Sequence, residues 1–207
     1  MRIVYVGTSK LGMWDFLKSL PCEIVHASLA DEKPVPYPDY DLGISFLYSH
    51  RIPAKEFDAG HAWVNFHPAP LPEFKGRNVA YHAIMQGATE FGGTMHYMDK
   101  DFDTGRIIEV LKFPVEQHHT AGDLVEGSHL CLVELFKKYI PLLVAGFNLE
   151  SVPQTGGTYY KKQPIDPYVP LNEDQERLVR ALTAHPYVPM VNVCGKNYRI
   201  VPDDTPI

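Results

Sequence analysis

Apolar and polar positions follow two different rhythms along this chain, and the places where one rhythm gives way to the other mark its elements. Ile3 to Val6 is a short, β-branched apolar run that stops at Gly7, the pattern of a buried strand. Ser9 then stands where a helix cap belongs, and Leu11, Trp14, Phe16, Leu17 and Leu20 recur at roughly helical spacing until Pro21. Glu23 to Ala27, Leu42 to Leu47 and Ala62 to Phe66 read as three further strands. Asn78 to Met85 reads as a helix with Asn78 at its cap. Phe91 to Met98 and Ile107 to Val115 read as β-type segments around a bend.

From Thr120 a strong amphipathic pattern (Leu124, Val125, Leu130, Leu132, Val133, Leu135, Phe136, Ile140) predicts a long helix stopped at or soon after Pro141. Thr155 to Thr158 is turn-rich. A helix follows from about Asn172 to Thr183, then a hairpin from Met190–Val193 and Asn197–Val201 around Gly195. Strand, helix, strand and more buried strands indicate an α/β fold with a twisted, mostly parallel sheet. The expected organisation is a catalytic domain over 1–150 and a small extension with helix and hairpin over 151–207, packed on that domain.

Composition narrows the picture. The chain has 207 residues with ordinary apolar content, enough for one real core. A net charge of −6 argues against a nucleic-acid binder. No stretch is long enough to span a membrane, and the apolar N-terminal run is too short for a signal peptide. Cys22, Cys131 and Cys194 form no C-x-x-C pair, which fits reduced thiols and a cytoplasmic location.

Candidate chemistry concentrates in two stretches. Val64 to Pro72 carries Asn65 and His67 at the carboxyl end of a predicted strand, where ligands sit in parallel sheets. Asp101 to Gly105 carries Asp103 at the bend. A neutral donor, an imidazole and a carboxylate together suit attack of an amine on a carbonyl-like carbon. Taken singly, Asn65 and His67 also read as a polar pair ending a strand, and Asp103 as a turn aspartate. His96 reads as a structural or pocket-lining histidine, and His118, His119 and His129 lack metal-site spacing.

Four fragments in order, Asn65-Phe66-His67-Pro68, Leu71 to Gly76, Gly93 to His96 and Asp103 to Ile107, resemble the formyltetrahydrofolate-dependent formyltransferases. The resemblance is tight from about Leu42 to Ile108. It implies the Rossmann-like formyltransferase fold and an N-formyltransferase activity with 10-formyltetrahydrofolate as donor and no metal. It places the catalytic roles on Asn65, His67 and Asp103. It places the folate pocket on Phe46, Leu47, Tyr48, Ser49 and His50 and on Met98, Asp99, Lys100, Asp101 and Phe102. One departure stands out: members of the family carry a helix between the second and third strands, and here only the proline-rich stretch Pro34 to Pro38 occupies that place.

Within the family the acceptor differs. The loop Gly7 to Gly12 lacks the clustered glycines of the glycinamide ribonucleotide enzymes. The residues after the linker are too few and insufficiently basic for a tRNA-gripping barrel. Leu178 to Pro189, followed by a small hairpin, resembles the C-terminal region of the nucleotide-sugar N-formyltransferases. That likeness implies a nucleotide-linked, dTDP-type amino-deoxysugar as substrate, a homodimer, and a place in polysaccharide synthesis. Phosphoribosylglycinamide formyltransferase and formyltetrahydrofolate hydrolase are the alternatives. Lys10, Lys75, Arg77 and Tyr159 are candidate acceptor ligands. Lys10, Lys75 and Arg77 stand equally as surface charges, and Tyr159, with Tyr160, Lys161 and Lys162, fits a solvated strand edge somewhat better.

Overall fold

The structure, a computed structural model, describes residues 1–29, 33–162, 164–166, 175–183, 189–193 and 195–200. In chain order the strands are β1 (Arg2–Gly7), β2 (Glu23–Ser28), β3 (Leu42–Phe46), β4 (Ala62–His67), β5 (Phe74–Gly76), β6 (Glu90–Tyr97), β7 (Ile107–Pro114), β8 (Thr158–Tyr160), β9 (Met190–Val193) and β10 (Lys196–Arg199). The helices are α1 (Met13–Lys18), α2 (Ala54–Asp58), α3 (Val79–Met85), α4 (Ala121–Val144) and α5 (Gln175–Leu182).

The central sheet runs β2-β1-β3-β4-β6-β7. Its first four strands are parallel, and β6 and β7 add an antiparallel hairpin. Strand order reverses at β1, so the crevice beyond the carboxyl ends of β1 and β3 is a topological switch point, the ordinary place for a ligand in such sheets.

Alternation along the strands divides the core between the two faces. Ile3, Tyr5, Ile44, Val64, Phe66 and Met95 face α4, which presents Leu132, Leu135, Phe136 and Ile140. The opposite face carries Val4, Val6 and Trp63, packed with Ile52 and Tyr40. The proline-rich passage between β2 and β3 packs on this face through Tyr37 and Tyr40. Among its described residues, 33–41, no helix forms. Tyr37 and Tyr40 instead lay their rings against Trp63, with centroids 5.5 and 5.9 Å away. The Trp63 indole N–H donates to the Tyr40 hydroxyl (2.8 Å), which donates to the buried Glu56 (2.7 Å). Gly43 makes room for this plug, since a Cβ there would lie 2.1 Å from the Trp63 ring.

Several expected boundaries shift. Ser9 makes no cap hydrogen bond; a single 3₁₀ turn spans Lys10–Gly12, and Leu11 and Gly12 adopt left-handed φ of 65° and 72°, so α1 begins only at Met13. Asn78 does precede α3 but in a left-handed conformation (φ 56°), and its side chain does not cap the helix. Thr120 does cap α4, in a reciprocal capping box with Asp123. As expected, α4 ends soon after Pro141, at Val144. Proline costs that last turn one N–H donor, but Ile140, Leu143 and Val144 keep their apolar face buried on the sheet.

The short α2, β5 and β8 have no counterpart in the apolar pattern. β5 pairs in parallel with β8. The expected C-terminal helix is present as α5, with residues 172–174 outside the described residues. It packs on α3 through Leu178 and Leu182, against Tyr81 and Met85. The expected hairpin is β9–β10, turning at Gly195; residue 201 and Cys194 lie outside the described residues. Among those described, no helix is long and apolar enough to cross a membrane.

Candidate active site

Strand register assembles the first part of the site. Ser45 on β3, Asn65 on β4 and His96 on β6 are directly opposite one another across three neighbouring strands. Their side chains therefore stand in one row on one face of the sheet. The Ser45 hydroxyl donates to Asn65 Oδ1 (2.8 Å). Asn65 Nδ2 lies 3.1 Å from His96 Nε2, and His96 Nδ1 lies 2.7 Å from the Tyr97 carbonyl. A carbonyl only accepts, so His96 carries its proton on Nδ1 and offers the Nε2 lone pair to the Asn65 amide. Burial pushes the His96 pKa down to about 4, partly offset by the Asp103 carboxylate, which keeps the ring neutral in this role. The row fixes which way the amide faces. One Nδ2 proton is committed to His96 and the other remains for a ligand.

His67 ends β4 two residues beyond Asn65, on the same face, opposite Thr94. Thr94 Oγ1 donates to the Ala69 carbonyl (2.7 Å) and accepts from the Leu71 N–H (3.0 Å), pinning the proline-flanked loop. That loop folds back so that His67 Nε2 meets the Phe74 carbonyl at 2.7 Å. Nε2 therefore carries a proton, and Nδ1 is the working nitrogen. It faces Asp103 Oδ1 across 3.5 Å. His96 Nε2 lies 3.9 Å from the same oxygen.

Asp103 sits in the bend between β6 and β7 with φ 56°, a left-handed conformation that surrounding contacts must impose. Asp99 Oδ1 accepts from the Asp101 N–H (3.1 Å) and the Thr104 hydroxyl (2.5 Å), rounding the bend. Gly105 lets the chain close, because a Cβ there would lie 1.9 Å from the Tyr97 carbonyl oxygen. The other carboxylate oxygen, Asp103 Oδ2, accepts the Gly76 N–H at 2.9 Å. The side chains of residues 65, 67 and 103 thus meet at one place.

A cavity of about 350 Å³ opens there. It is lined by residues 47–52, 65–68, 76–81 and 98–103, with Ala121, Val125 and His129 of α4 and Ala181 of α5 on the far side. Leu47, Tyr48, Ser49, His50 and the run Met98 to Phe102, from the segments expected to hold folate, therefore line this cavity. Phe46 does not. It is fully buried in the core against Phe66 and Phe136, because the strand's alternation turns it toward α4. Arg77 lines the cavity and donates to the Ser49 carbonyl across its mouth. Lys10, Lys75 and Tyr159 lie outside the lining. Lys75 Nζ donates to the Gly156 carbonyl (2.9 Å), and Tyr159 is 45% exposed on β8.

Sequence reasoning left Ser45 unmarked, considered His129 only as a metal ligand, and read His96 as structural or pocket-lining without its bond to Asn65; both histidines line the cavity. The signal for His96 was the antiparallel register of β6 on β4, which no local pattern prints. His129 is turned inward by α4, and burial lowers its pKa.

A profile of the formyl transferase family matches residues 41–134, the span from β3 through the bend that carries Asp103 into α4. Over that span the chain is similar to the formyl transferase family. Methionyl-tRNA formyltransferase from Geobacillus thermodenitrificans is 33% identical over 82 residues, which is 40% of this chain and 25% of that protein. The match thus spans about a quarter of the length of such relatives. A 4-N formyltransferase from Francisella tularensis superposes with a TM-score of 0.80 at 20% identity, covering 99% of this chain and 98% of its own. The formyltransferase PseJ from Anoxybacillus kamchatkensis, solved in complex with UDP-4,6-dideoxy-4-formamido-L-AltNAc and tetrahydrofolate, has a TM-score of 0.66 at 26% identity. It covers 78% of this chain and 86% of its own. The α/β sheet with its antiparallel hairpin is thus the formyltransferase fold, and Asn65, His67, Asp103 and the segments 46–50 and 98–102 fall inside the family match, whereas Lys10 and Tyr159 lie outside it.

Proposed function

We propose that this protein moves a formyl group from 10-formyltetrahydrofolate to the amino group of a nucleotide-linked amino-deoxysugar, with dTDP-sugars as the expected class. The observation that carries the reading is the convergence of Asn65, His67 and Asp103 at the mouth of one cavity. The two loops expected to hold the donor offer apolar walls (Leu47, Met98, Phe102), extended by the neighbouring Ile52, beside backbone polar groups, which suits a flat heteroaromatic ring. The complex seen for the PseJ relative, with a nucleotide-linked formamido sugar and tetrahydrofolate, supports the same pairing of substrates here.

The acceptor nitrogen attacks the formyl carbon with its lone pair. As the C–N bond forms, the carbonyl electrons move onto oxygen. The free Nδ2 proton of Asn65 and a proton on His67 Nδ1 stabilise that charge; removing one such donor typically costs on the order of 3 kcal/mol. With Nε2–H held by the Phe74 carbonyl, a donor at Nδ1 makes the ring an imidazolium, and Asp103 supplies the counter-charge. Asp103 then takes the proton shed by the attacking nitrogen, directly or through water. The bond to the donor nitrogen breaks as that nitrogen gains a proton from His67. Acid–base assistance of this type contributes roughly 10²–10⁴-fold.

The test is incubation with 10-formyltetrahydrofolate and separate acceptors: dTDP- and UDP-linked 3-amino and 4-amino sugars, glycinamide ribonucleotide, and none. Tetrahydrofolate release that needs an amino sugar is the expected result. Release with glycinamide ribonucleotide alone, or with no acceptor, overturns the acceptor assignment.

A further inference from the structure

We infer that Gln154 is a positioning residue for Asp103, acting from a segment beyond the family-matched domain. After α4 the chain reaches the first residue of β7, where Val152 and Ile107 form a two-way backbone bridge with N–H···O distances of 2.9 and 2.8 Å. Arg106 Nε donates to Ser151 Oγ (3.0 Å) beside it. This anchoring delivers Gln154 to the inner side of the catalytic bend. Its Nε2 donates to the Asp103 carbonyl (3.0 Å) and to the Gly105 carbonyl (2.6 Å).

Both carbonyls are acceptors, so the amide orientation is forced: both Nε2 protons are used and Oε1 faces away. Oε1 is buried and has no hydrogen-bond partner among the described residues. Burying an acceptor without a partner is unfavourable, so the contact is kept for what the two N–H bonds do. They grip the backbone on either side of Thr104, where Asp103 holds its left-handed φ of 56°. That conformation directs the carboxylate at His67 Nδ1 and the Gly76 N–H at once. Without the grip the bend relaxes and the carboxylate leaves the reacting centre.

The inference rests on the reading of Asp103 as proton acceptor, and the experiment separates the two. Steady-state formyl transfer is measured for wild type, Gln154→Leu, Asp103→Asn and the double variant. Expected are a kcat loss of roughly 10²-fold in Gln154→Leu, as for a misplaced catalytic group, with KM for both substrates near wild type. The Gln154 change should add little once Asp103 is already Asn, since residues acting through one another are non-additive. Gln154→Ala, which admits water to the two carbonyls, is the second variant should the leucine protein not fold, and the same kcat pattern is expected of it. If Asp103→Asn loses activity but Gln154 variants keep theirs, or if their effects multiply in full, positioning by Gln154 is wrong. If Asp103→Asn keeps full activity, the mechanistic reading of Asp103 fails and this inference falls with it.

Discussion

His96 Nε2 accepts from Asn65 Nδ2 at 3.1 Å because the two residues face each other across the β4–β6 ladder. This contact, with Ser45 on the other side, decides which end of the Asn65 amide points into the cavity. His96→Leu keeps the buried volume but removes the acceptor, so the amide is free to flip. Formyl transfer should fall roughly 10²-fold, the scale of losing an oxyanion donor, while the thermal midpoint stays close to wild type. Unchanged turnover would show that the amide needs no such anchor.

The same histidine sets a pH dependence of stability. Its folded pKa is lowered by burial from 6.5 to about 4. Between those values the unfolded chain binds the proton and the folded protein does not, so stability falls as pH drops through 6.5 and the loss is complete below about 4. The slope contributed is at most about 1.4 kcal/mol per pH unit. Urea unfolding at a series of pH values checks this. The slope in this window should be smaller in His96→Leu.

Trp63 occupies the space above Gly43, and a methyl group there would collide with the indole ring. Gly43→Ala should therefore displace the aromatic plug of Tyr37, Tyr40 and Trp63 and cost about 1–3 kcal/mol, the usual scale of overpacking. A lowered thermal midpoint, with reduced quenching or a shifted maximum of tryptophan emission, is the expected outcome.

The long helix has its own signature. Thr120→Ala removes the side chain that accepts from the Asp123 N–H and donates to its carboxylate, and the cap loss should cost about 1 kcal/mol. Because residue 120 does not line the cavity, kcat should be preserved.

Strands β1, β3 and β4 were legible because each is a short apolar run buried on both faces, and α4 because its apolar stripe is long and capped. The candidate catalytic residues were legible because three polar side chains stand in compact, proline- or glycine-bounded fragments. What stayed hidden depends on distance along the chain. β5 and β8 are three residues each and find one another some eighty residues apart, with no periodicity to betray them. Ser45 and His96 gain their meaning only from register. Phe46 shows the converse: it lies in the expected folate segment by sequence, yet strand alternation buries it in the core. Lys75 and Tyr159 looked like anion ligands by charge and ring alone, but β5–β8 pairing holds them outside the cavity lining.

The central claim is that His67 and Asp103 work as one unit on the reacting centre. The most direct test is single-turnover formyl transfer to the acceptor sugar by purified, folded His67→Ala, Asp103→Asn and the double variant. The account predicts that each single change slows the chemical step by roughly 10²–10⁴-fold, and that the double variant is little worse than the slower single one. A single variant that transfers the formyl group at the wild-type rate would contradict it.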